Sequence, residues 1–253
     1  MTTGVPTPSQ RTSRLARGAT GALALALLLL ACAIWLDRPL SLWLNVNVPP
    51  ALDKAFDRIG NLGDAGLYVA VGLICYIWAL NGLARGWSCP FKSGFDRMAR
   101  GSLLLLATMT VGGIITWLLK RLVSRARPEA LLDHGIYGLG QVFAGKPYDS
   151  FPSSHTLAAF AVASVIAILS PRWRWPVMTL AVLVAASRVI NRDHFLSDVC
   201  VGALIAICCA VLLAPRILDT RYHWPLARAM AVVEGFLNRF PDHSAASLHT
   251  LKK

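Results

Sequence analysis

Six long runs of apolar residues dominate the pattern of hydrophobic and polar positions along this chain. They cover residues 18–36, 65–84, 101–119, 156–170, 176–190 and 199–214. Arg188 is the one charged side chain inside any of them. Because a helix rises about 1.5 Å per residue, the first three runs are long enough to cross a bilayer core of about 30 Å, whereas the last three need flanking turns.

The runs are continuous rather than alternating, which favours helices over strands. An open sheet in lipid also leaves its edge backbone groups without hydrogen-bond partners. We therefore predict an all-α, polytopic membrane protein with six transmembrane helices. Tryptophans support these boundaries, because the indole ring prefers the level of the lipid headgroups. Five of the eight lie at or just beyond the ends of runs: Trp35, Trp87, Trp117, Trp173 and Trp175.

The composition agrees with this prediction, since 55% of the residues are hydrophobic and only 15% are charged. The net charge of +12 does not indicate nucleic acid as a partner, because the basic residues are spread over several loops. Cytoplasmic N- and C-termini place most of these residues on the inner side of a bacterial inner membrane. Six cations instead crowd two loops on the periplasmic side, as if recruited for binding: Lys120, Arg121, Arg125, Arg127, Arg188 and Arg192.

The chain is predicted to have three regions. Residues 1–17 are polar and rich in Thr, Ser, Pro and Arg, which is typical of a disordered cytoplasmic N-terminus. Residues 18–214 form the six-span membrane domain. Pro215 is expected to stop the last helix, so that residues 215–253 form a cytoplasmic tail. Apolar side chains at helical spacing over residues 224–240 predict an amphipathic helix on the membrane surface.

Two segments near the N-terminus allow alternatives. The first run could be a signal peptide ending at Cys32, but it continues apolar through Leu36, which favours an uncleaved span. Residues 37–64 are either an amphipathic stretch along the outer interface or a solvated connector. The six cysteines lack the spacing of a metal site or a disulfide framework, and we assign them to packing.

Two polar clusters flank a long external loop over residues 120–153, a length typical of functional loops. Lys120 ends the third run and is followed, after six residues, by Arg127 and Pro128. Two such cations can hold phosphate oxygens, although basic residues at a helix end also snorkel to the interface. The second cluster is Phe151-Pro152-Ser153-Ser154-His155, before the fourth run. Ser and Pro commonly open helices, and a helix N-terminus also directs free N–H groups toward an anion.

A third cluster lies at the turn between the fifth and sixth runs. Ser187 and Arg188 are followed after five residues by His194, and Asp198 comes four positions later. Residues at i and i+4 share one helical face, so the carboxylate can accept a hydrogen bond from one imidazole nitrogen and leave the other free to react. A lone His-x3-Asp pair is usually a surface contact, but this turn also brings Arg188 close.

Together the clusters read Lys120-x6-Arg127-Pro128, Pro152-Ser153-Ser154-His155 and Ser187-Arg188-x5-His194-x3-Asp198. In this order and spacing they closely resemble the three-part signature of the type-2 phosphatidic acid phosphatase family. The resemblance implies a helical core that this family shares with the soluble vanadium haloperoxidases. It also implies a membrane lipid phosphatase.

The resemblance further implies hydrolysis through a phosphohistidine intermediate. His194 would be the nucleophile, Asp198 would hold its tautomer, and His155 would protonate the leaving oxygen and then activate water. The residues expected to hold the substrate phosphate are Lys120, Arg127, Ser153, Ser154 and Arg188. Losing one donor of this kind typically lowers the rate roughly 100- to 1000-fold.

Ser154 departs from the commonest family pattern, which has Gly there. Serine is strained if the position needs a positive φ, but it fits well if the residue opens a helix, which we favour. No cofactor or metal is implied, because side chains supply the cations and no acidic cluster suits Mg²⁺. The expected partners are a lipid phosphate substrate and membrane lipids.

The substrate is open among undecaprenyl diphosphate, phosphatidylglycerol phosphate, phosphatidic acid and phosphorylated lipid A. A transporter is a weaker alternative, because transporters place ionisable groups near the bilayer midplane rather than at one interface. A catalytically idle lipid-phosphate-binding protein would need the cations but not the two histidines and the aspartate as well.

Overall fold

The computed structural model describes residues 27, 30–31, 34–85, 92–220 and 235. Across these residues the regular secondary structure is helical and contains no strand. Arg125 and Leu139 form an isolated antiparallel bridge. The prediction of an all-α protein is therefore confirmed. Most of the first apolar run and nearly all of the predicted tail helix over 224–240 lie outside the described residues.

Eight helices can be numbered in chain order over the described residues. They are α1 (34–47), α2 (Pro50–Gly60), α3 (Ala65–Ala84), α4 (Lys92–Val123), α5 (Pro128–His134), α6 (Ser154–Leu169), α7 (Arg174–Ile190) and α8 (Leu196–Ile217). Four segments are long and apolar enough to cross a membrane: Pro50–Ala84, Gly94–Val123, Pro171–Ile190 and Leu196–Ile217. The apolar helix α6 is shorter. The prediction of six spans is thus only approximately matched.

Local sequence explains where several helices begin and end. Asp64 caps α3, because its side chain accepts a hydrogen bond from the backbone N–H of Gly66 at 2.8 Å. Arg127 is extended and Pro128 occupies the first turn of α5, where a missing N–H is harmless. Gly135 ends α5 with a left-handed φ of 68°. The external loop predicted over residues 120–153 therefore contains a short helix.

The expectation that Pro215 stops the last helix is wrong. Helix α8 continues to Ile217 with Pro215 inside its final turn. A proline removes one backbone donor, and at a helix end the loss is limited to that single bond. The helical pattern resumes at once, since the N–H of Leu218 donates to the carbonyl of Ala214 at 2.9 Å.

The chain divides into two compact units. The first unit comprises Met1–Gly63, Ile115–Leu157 and Val182–Ile205, and the second comprises Asp64–Ile114, Ala158–Ala181 and Ala206–Lys253. Every residue that the sequence proposes for phosphate chemistry belongs to the first unit. Its buried core joins Leu44 of α1, Val189 of α7 and Val199 of α8. This core holds α1 against the two helices that flank the third sequence cluster.

The second unit has its own core of Leu104, Val165, Ala210 and Ala214. Arg100 is buried in this unit and binds Asp96 through its Nε at 2.9 Å. Its Nη1 donates to the carbonyls of Ile217 at 3.2 Å and Asp219 at 3.1 Å. Arg100 therefore satisfies carbonyl groups that the C-terminus of α8 leaves without helical partners.

Candidate active site

The third sequence cluster folds as a tight turn between α7 and α8. The backbone N–H groups of Asp193 and His194 donate to the carbonyl of Arg188, at 3.0 and 3.1 Å. Asp198, in the first turn of α8, reaches back and accepts the N–H of Phe195 at 2.9 Å. This bond is the carboxylate half of a capping box, in which a side chain in the first turn accepts from the backbone N–H at the start of the helix. The turn therefore brings Arg188, His194 and Asp198 into one place.

His194 is almost completely buried, with 3% of its surface exposed. Its Nδ1 lies 2.7 Å from the backbone carbonyl oxygen of Ser150 and 3.8 Å from Oδ2 of Asp198. The hydrogen-bond acceptor is therefore the Ser150 carbonyl, rather than the Asp198 carboxylate that the sequence suggested. Since a carbonyl can only accept, Nδ1 carries the proton and Nε2 is left unprotonated.

Burial lowers the pKa of His194 below its ordinary value of 6.5, because the charged imidazolium is poorly solvated there. The carboxylate of Asp198 opposes this effect, whereas the cations of Lys120 and Arg127 add to it. The net direction keeps the ring neutral at neutral pH. A neutral imidazole is the form that can act as a nucleophile.

Asp198 is fully buried and shares one arginine with a second buried carboxylate. Nη1 of Arg125 lies 2.8 Å from Oδ1 of Asp198, and its Nη2 lies 2.8 Å from Oδ2 of Asp37. Burial by itself would lower the pKa of Arg125, but the two carboxylates raise it overall, so the arginine stays charged. Ser197 completes the network by donating its backbone N–H to Asp37 at 2.9 Å.

Ser150 links this network to the histidine. Its backbone carbonyl accepts from His194, and its hydroxyl donates to Oδ2 of Asp198 at 2.5 Å. The N–H of Ser150 donates in turn to the carbonyl of Arg125 at 3.1 Å. Ser150 therefore transmits the position of Asp198 to the imidazole, a role that sequence reasoning missed.

Lys120 and Arg127 converge on one residue, Asp149. Nζ of Lys120 donates to the backbone carbonyl of Asp149 at 2.6 Å. Nε and Nη2 of Arg127 donate to the two oxygens of the Asp149 carboxylate, at 2.6 and 3.1 Å. Burial tends to raise the pKa of Asp149, but the hydrogen bond and charge of Arg127 lower it overall. Asp149 is thus an ionised carboxylate that contacts both of the cations that the first sequence cluster proposes for phosphate.

Arg188 is 9% exposed and is also paired with a carboxylate, since its Nη2 lies 2.8 Å from Oδ2 of Asp193. Its Nε is buried and has no hydrogen-bond partner among the described residues. A side chain at Gly60 would place its Cβ 2.5 Å from Nη1 of Arg188, so the glycine makes room for the guanidinium.

The second cluster opens helix α6, as predicted. Ser154 is its first residue, and its φ angle is not positive. Ser153 is fully buried; its N–H donates to the Asp198 carbonyl at 3.1 Å, and its hydroxyl oxygen accepts from Thr156. A Cβ on Gly202 would lie 2.6 Å from the Ser153 carbonyl, so this glycine lets the second and third clusters meet.

His155 is half-buried in the first turn of α6. Its Cβ lies 2.8 Å from the place that a Cβ on Gly63 would occupy, which shows how closely the segment after α2 approaches it. The structure therefore gathers all eight sequence-proposed residues into the first unit. No group of three or more His, Cys, Asp and Glu side chains within the described ranges has the arrangement of a metal site.

Two of the six external cations that looked recruited for binding pair with carboxylates of the chain instead. Arg125 is occupied by Asp37 and Asp198, and Arg192 pairs with Oδ1 of Asp53 at 2.7 Å. Sequence reasoning missed three carboxylate partners of the arginines. Asp37 and Asp149 lie far from their arginines in sequence, and Asp193 belongs to no recognised motif position. One signal could have indicated these aspartates: the external loops contain an excess of arginines, and nearby carboxylates must balance their charge.

Replacing Arg125 by glutamine should destabilise the fold by about 3 kcal/mol or more, because it leaves two buried carboxylates without a counter-charge. Arg125→Lys should recover part of this loss, since a single ammonium can pair with only one of them well. Thermal unfolding in detergent measures both effects. Wild-type stability in the glutamine variant would show that Asp37 and Asp198 do not depend on the arginine.

Replacing Asp149 by asparagine should strengthen competitive inhibition by inorganic phosphate, by about tenfold or about 1.4 kcal/mol. The amide no longer competes as an anion for the fork of Arg127. The inhibition constant for phosphate measures this, with Asp57→Asn on the exposed face of α2 as the matched control. Weaker inhibition would mean that Asp149 supports Arg127 in its binding position instead.

Known proteins similar to this chain are phosphatases or belong to one superfamily. A model of the PAP2 superfamily matches residues 101–222. The Lipid A 1-phosphatase of Rhizobium etli is 25% identical over 195 residues, which are 72% of this chain and 82% of that protein. The Lipid A 1-phosphatase of Rhizobium johnstonii is 30% identical over 139 residues, 50% of this chain and 54% of that protein.

Solved structures share the fold. LpxE of Aquifex aeolicus superposes with a TM-score of 0.52 and 23% identity over 70% of this chain and 93% of that one. The first transmembrane PAP2 type phosphatidylglycerolphosphate phosphatase from Bacillus subtilis gives a TM-score of 0.55 and 22% identity over 79% and 96%. Residues 101–222 thus match the PAP2 superfamily and carry the three clusters at their signature spacing, and these findings support a membrane lipid phosphatase of the PAP2 type.

Proposed function

We propose that this protein removes the phosphate of lipid A 1-phosphate through a phosphohistidine on His194. The proposal rests on one observation above all: Nδ1 of the buried His194 is held on the Ser150 carbonyl, so that Nε2 carries no proton. The charges of Lys120 and Arg127 act on this ring, and the backbone N–H of His194 donates to the carbonyl of Arg188. The names of the relatives from Rhizobium support lipid A as the substrate. We further propose that both termini are cytoplasmic and that the site faces the periplasm, since the positive-inside pattern favours this orientation.

The reaction would occur in two displacements. Nε2 of His194 attacks phosphorus, a P–N bond forms, and the bond between phosphorus and the lipid oxygen breaks while His155 protonates that oxygen. Water then attacks phosphorus, His155 takes its proton, and the P–N bond breaks to release phosphate. The imidazolium that forms at His194 is stabilised by the Asp198 carboxylate, 3.8 Å away.

Charge stabilisation would come from Lys120, Arg127, Arg188 and the N-terminus of α6, which begins at Ser154. Each of these three cations contacts an acceptor of the chain: Asp149 for Lys120 and Arg127, and Asp193 for Arg188. The incoming phosphoryl oxygens therefore replace Asp149 and Asp193 as partners. The same carboxylates can reclaim the arginines when inorganic phosphate leaves, which would favour product release.

Phosphate release by the purified full-length protein in detergent tests this proposal. The substrates are lipid A 1-phosphate, phosphatidylglycerol phosphate, phosphatidic acid and undecaprenyl diphosphate, with EDTA present throughout. We expect turnover of lipid A 1-phosphate that is abolished in His194→Ala, with no change in thermal stability large enough to indicate unfolding. Near-normal rates in His194→Ala would exclude the phosphohistidine mechanism, and loss in EDTA that Mg²⁺ restores would reveal a metal requirement.

The pH profile provides a second test. The attacking imidazole must be neutral, and the pKa of His194 is lowered by burial. Activity should therefore persist as the pH falls through the ordinary imidazole value of 6.5 and decline only below it, in the acid limb of kcat/KM. An acid limb above that value would show that the essential base is a solvated or carboxylate-stabilised group instead.

A further inference from the structure

The cations Lys120, Arg127 and Arg188, with their partners Asp149 and Asp193, are called the phosphate clamp below. A polar cavity of about 440 Å³ adjoins this clamp within the first unit. Its size is in the range of small-molecule sites. Arg127 and Asp193 line it, and these residues belong to the clamp itself, one as a proposed phosphate ligand and the other as the partner of Arg188. Whatever group carries the phosphate therefore lies in or beside this cavity.

The lining is almost entirely polar. Asn45, Glu129, Asp133, Asn191 and Arg192 contribute to it, and Leu132 is its one apolar member. The Oδ1 atom of Asn191 is buried and lacks a hydrogen-bond donor among the described residues. Such a lining does not match the acyl-ester region that lies next to the phosphate in a glycerolipid, because the polar groups would lose water without gaining partners.

The charge of the cavity also disfavours a second phosphate. Arg127 is neutralised by Asp149, Arg192 by Asp53, and Asp193 by Arg188. Glu129 and Asp133 remain, exposed on α5 and without an ion pair to any residue in the described ranges. Two uncompensated carboxylates repel an anion but accept hydrogen bonds from hydroxyl and amide groups.

We propose that this cavity is the headgroup subsite, and that it selects a lipid whose phosphate is carried on a hydroxylated sugar over phosphatidyl and diphosphate lipids. The inference deepens the proposed function and rests on it. The sugar would donate hydrogen bonds to Glu129, Asp133 and the side-chain Oδ1 of Asn191 while the clamp holds its phosphate.

The test compares wild type with Glu129→Gln/Asp133→Asn, in which both side chains keep their size and lose their charge. Phosphate release is measured in detergent from lipid A 1-phosphate, phosphatidic acid and undecaprenyl diphosphate. In wild type, kcat/KM should be at least about tenfold higher for lipid A 1-phosphate, a difference equivalent to one or two hydrogen bonds to charged groups. The double variant should lose most of this preference, mainly through a higher KM for the sugar lipid.

Asp57→Asn is the matched control, since Asp57 is an exposed carboxylate on α2 that does not line the cavity. It should keep the wild-type ratio of kcat/KM values between the three lipids. An unchanged ratio in the double variant, or an equal fall for every lipid, would overturn the subsite. The same holds if wild type hydrolyses phosphatidic acid or the diphosphate at least as well as lipid A 1-phosphate.

The two proposals fail in distinguishable ways. No phosphate release from any lipid by the folded wild-type protein would remove the proposed function and the subsite together. Release that favours a glycerolipid would remove the subsite and the lipid A assignment, while the phosphohistidine mechanism would stand. Release that favours the sugar lipid and loses that preference in the double variant supports both.

Discussion

Arg125 lies between two fully buried carboxylates, Asp37 of α1 and Asp198 of α8, and contacts each of them at 2.8 Å. A lone carboxylate at either position would be unstable without solvent, so the arginine makes both burials possible. It also decides where the first turn of α8 lies relative to α1. Through the hydroxyl and carbonyl of Ser150, the position of Asp198 is passed on to Nδ1 of His194. The candidate nucleophile is therefore oriented by an ion pair to which its ring makes no direct hydrogen bond.

The proposed phosphate clamp also depends on the balance of charge between arginines or lysine and nearby acceptors. Several cations gathered for a phosphate repel one another when the site is empty, unless acceptors of the chain balance them. Asp149 does so for Lys120 and Arg127, and Asp193 does so for Arg188. A carboxylate resembles a phosphoryl group in the fork geometry it offers an arginine, but it carries less charge. The site can therefore remain assembled without substrate and still yield to a dianion.

Close backbone approach makes this arrangement possible. Gly60 leaves space for Arg188, Gly63 for His155 and Gly202 for the Ser153 carbonyl. These glycines lie outside the three motifs and cannot be singled out from one sequence. Their role becomes visible only when the atoms that a Cβ would meet are known. The same is true of Ser150, whose contribution to the histidine comes partly from its backbone, which any residue type would supply.

What the sequence determined by itself was local or compositional. The apolar runs predicted an all-α membrane protein, and the run at 65–84 coincides with helix α3, because apolar length and continuity are properties of one segment. The spacing of the three motifs indicated a resemblance to one phosphatase family and the residues proposed for catalysis, since each motif lies within about one turn or one loop. Ser154 opens α6 as the sequence predicted, because helix capping is also local.

Only the tertiary structure decided which charges meet. Asp37 and Arg125 are separated by 88 positions, and Arg127 and Asp149 by 22, so no periodicity connects them. Six external cations looked recruited for binding, but Arg125 and Arg192 among them balance carboxylates that folding brings near. The continuation of α8 past Pro215 was likewise settled by hydrogen bonds at the helix end. The physical reason is common to these cases: pairing depends on three-dimensional distance, which one sequence encodes only through the complete fold.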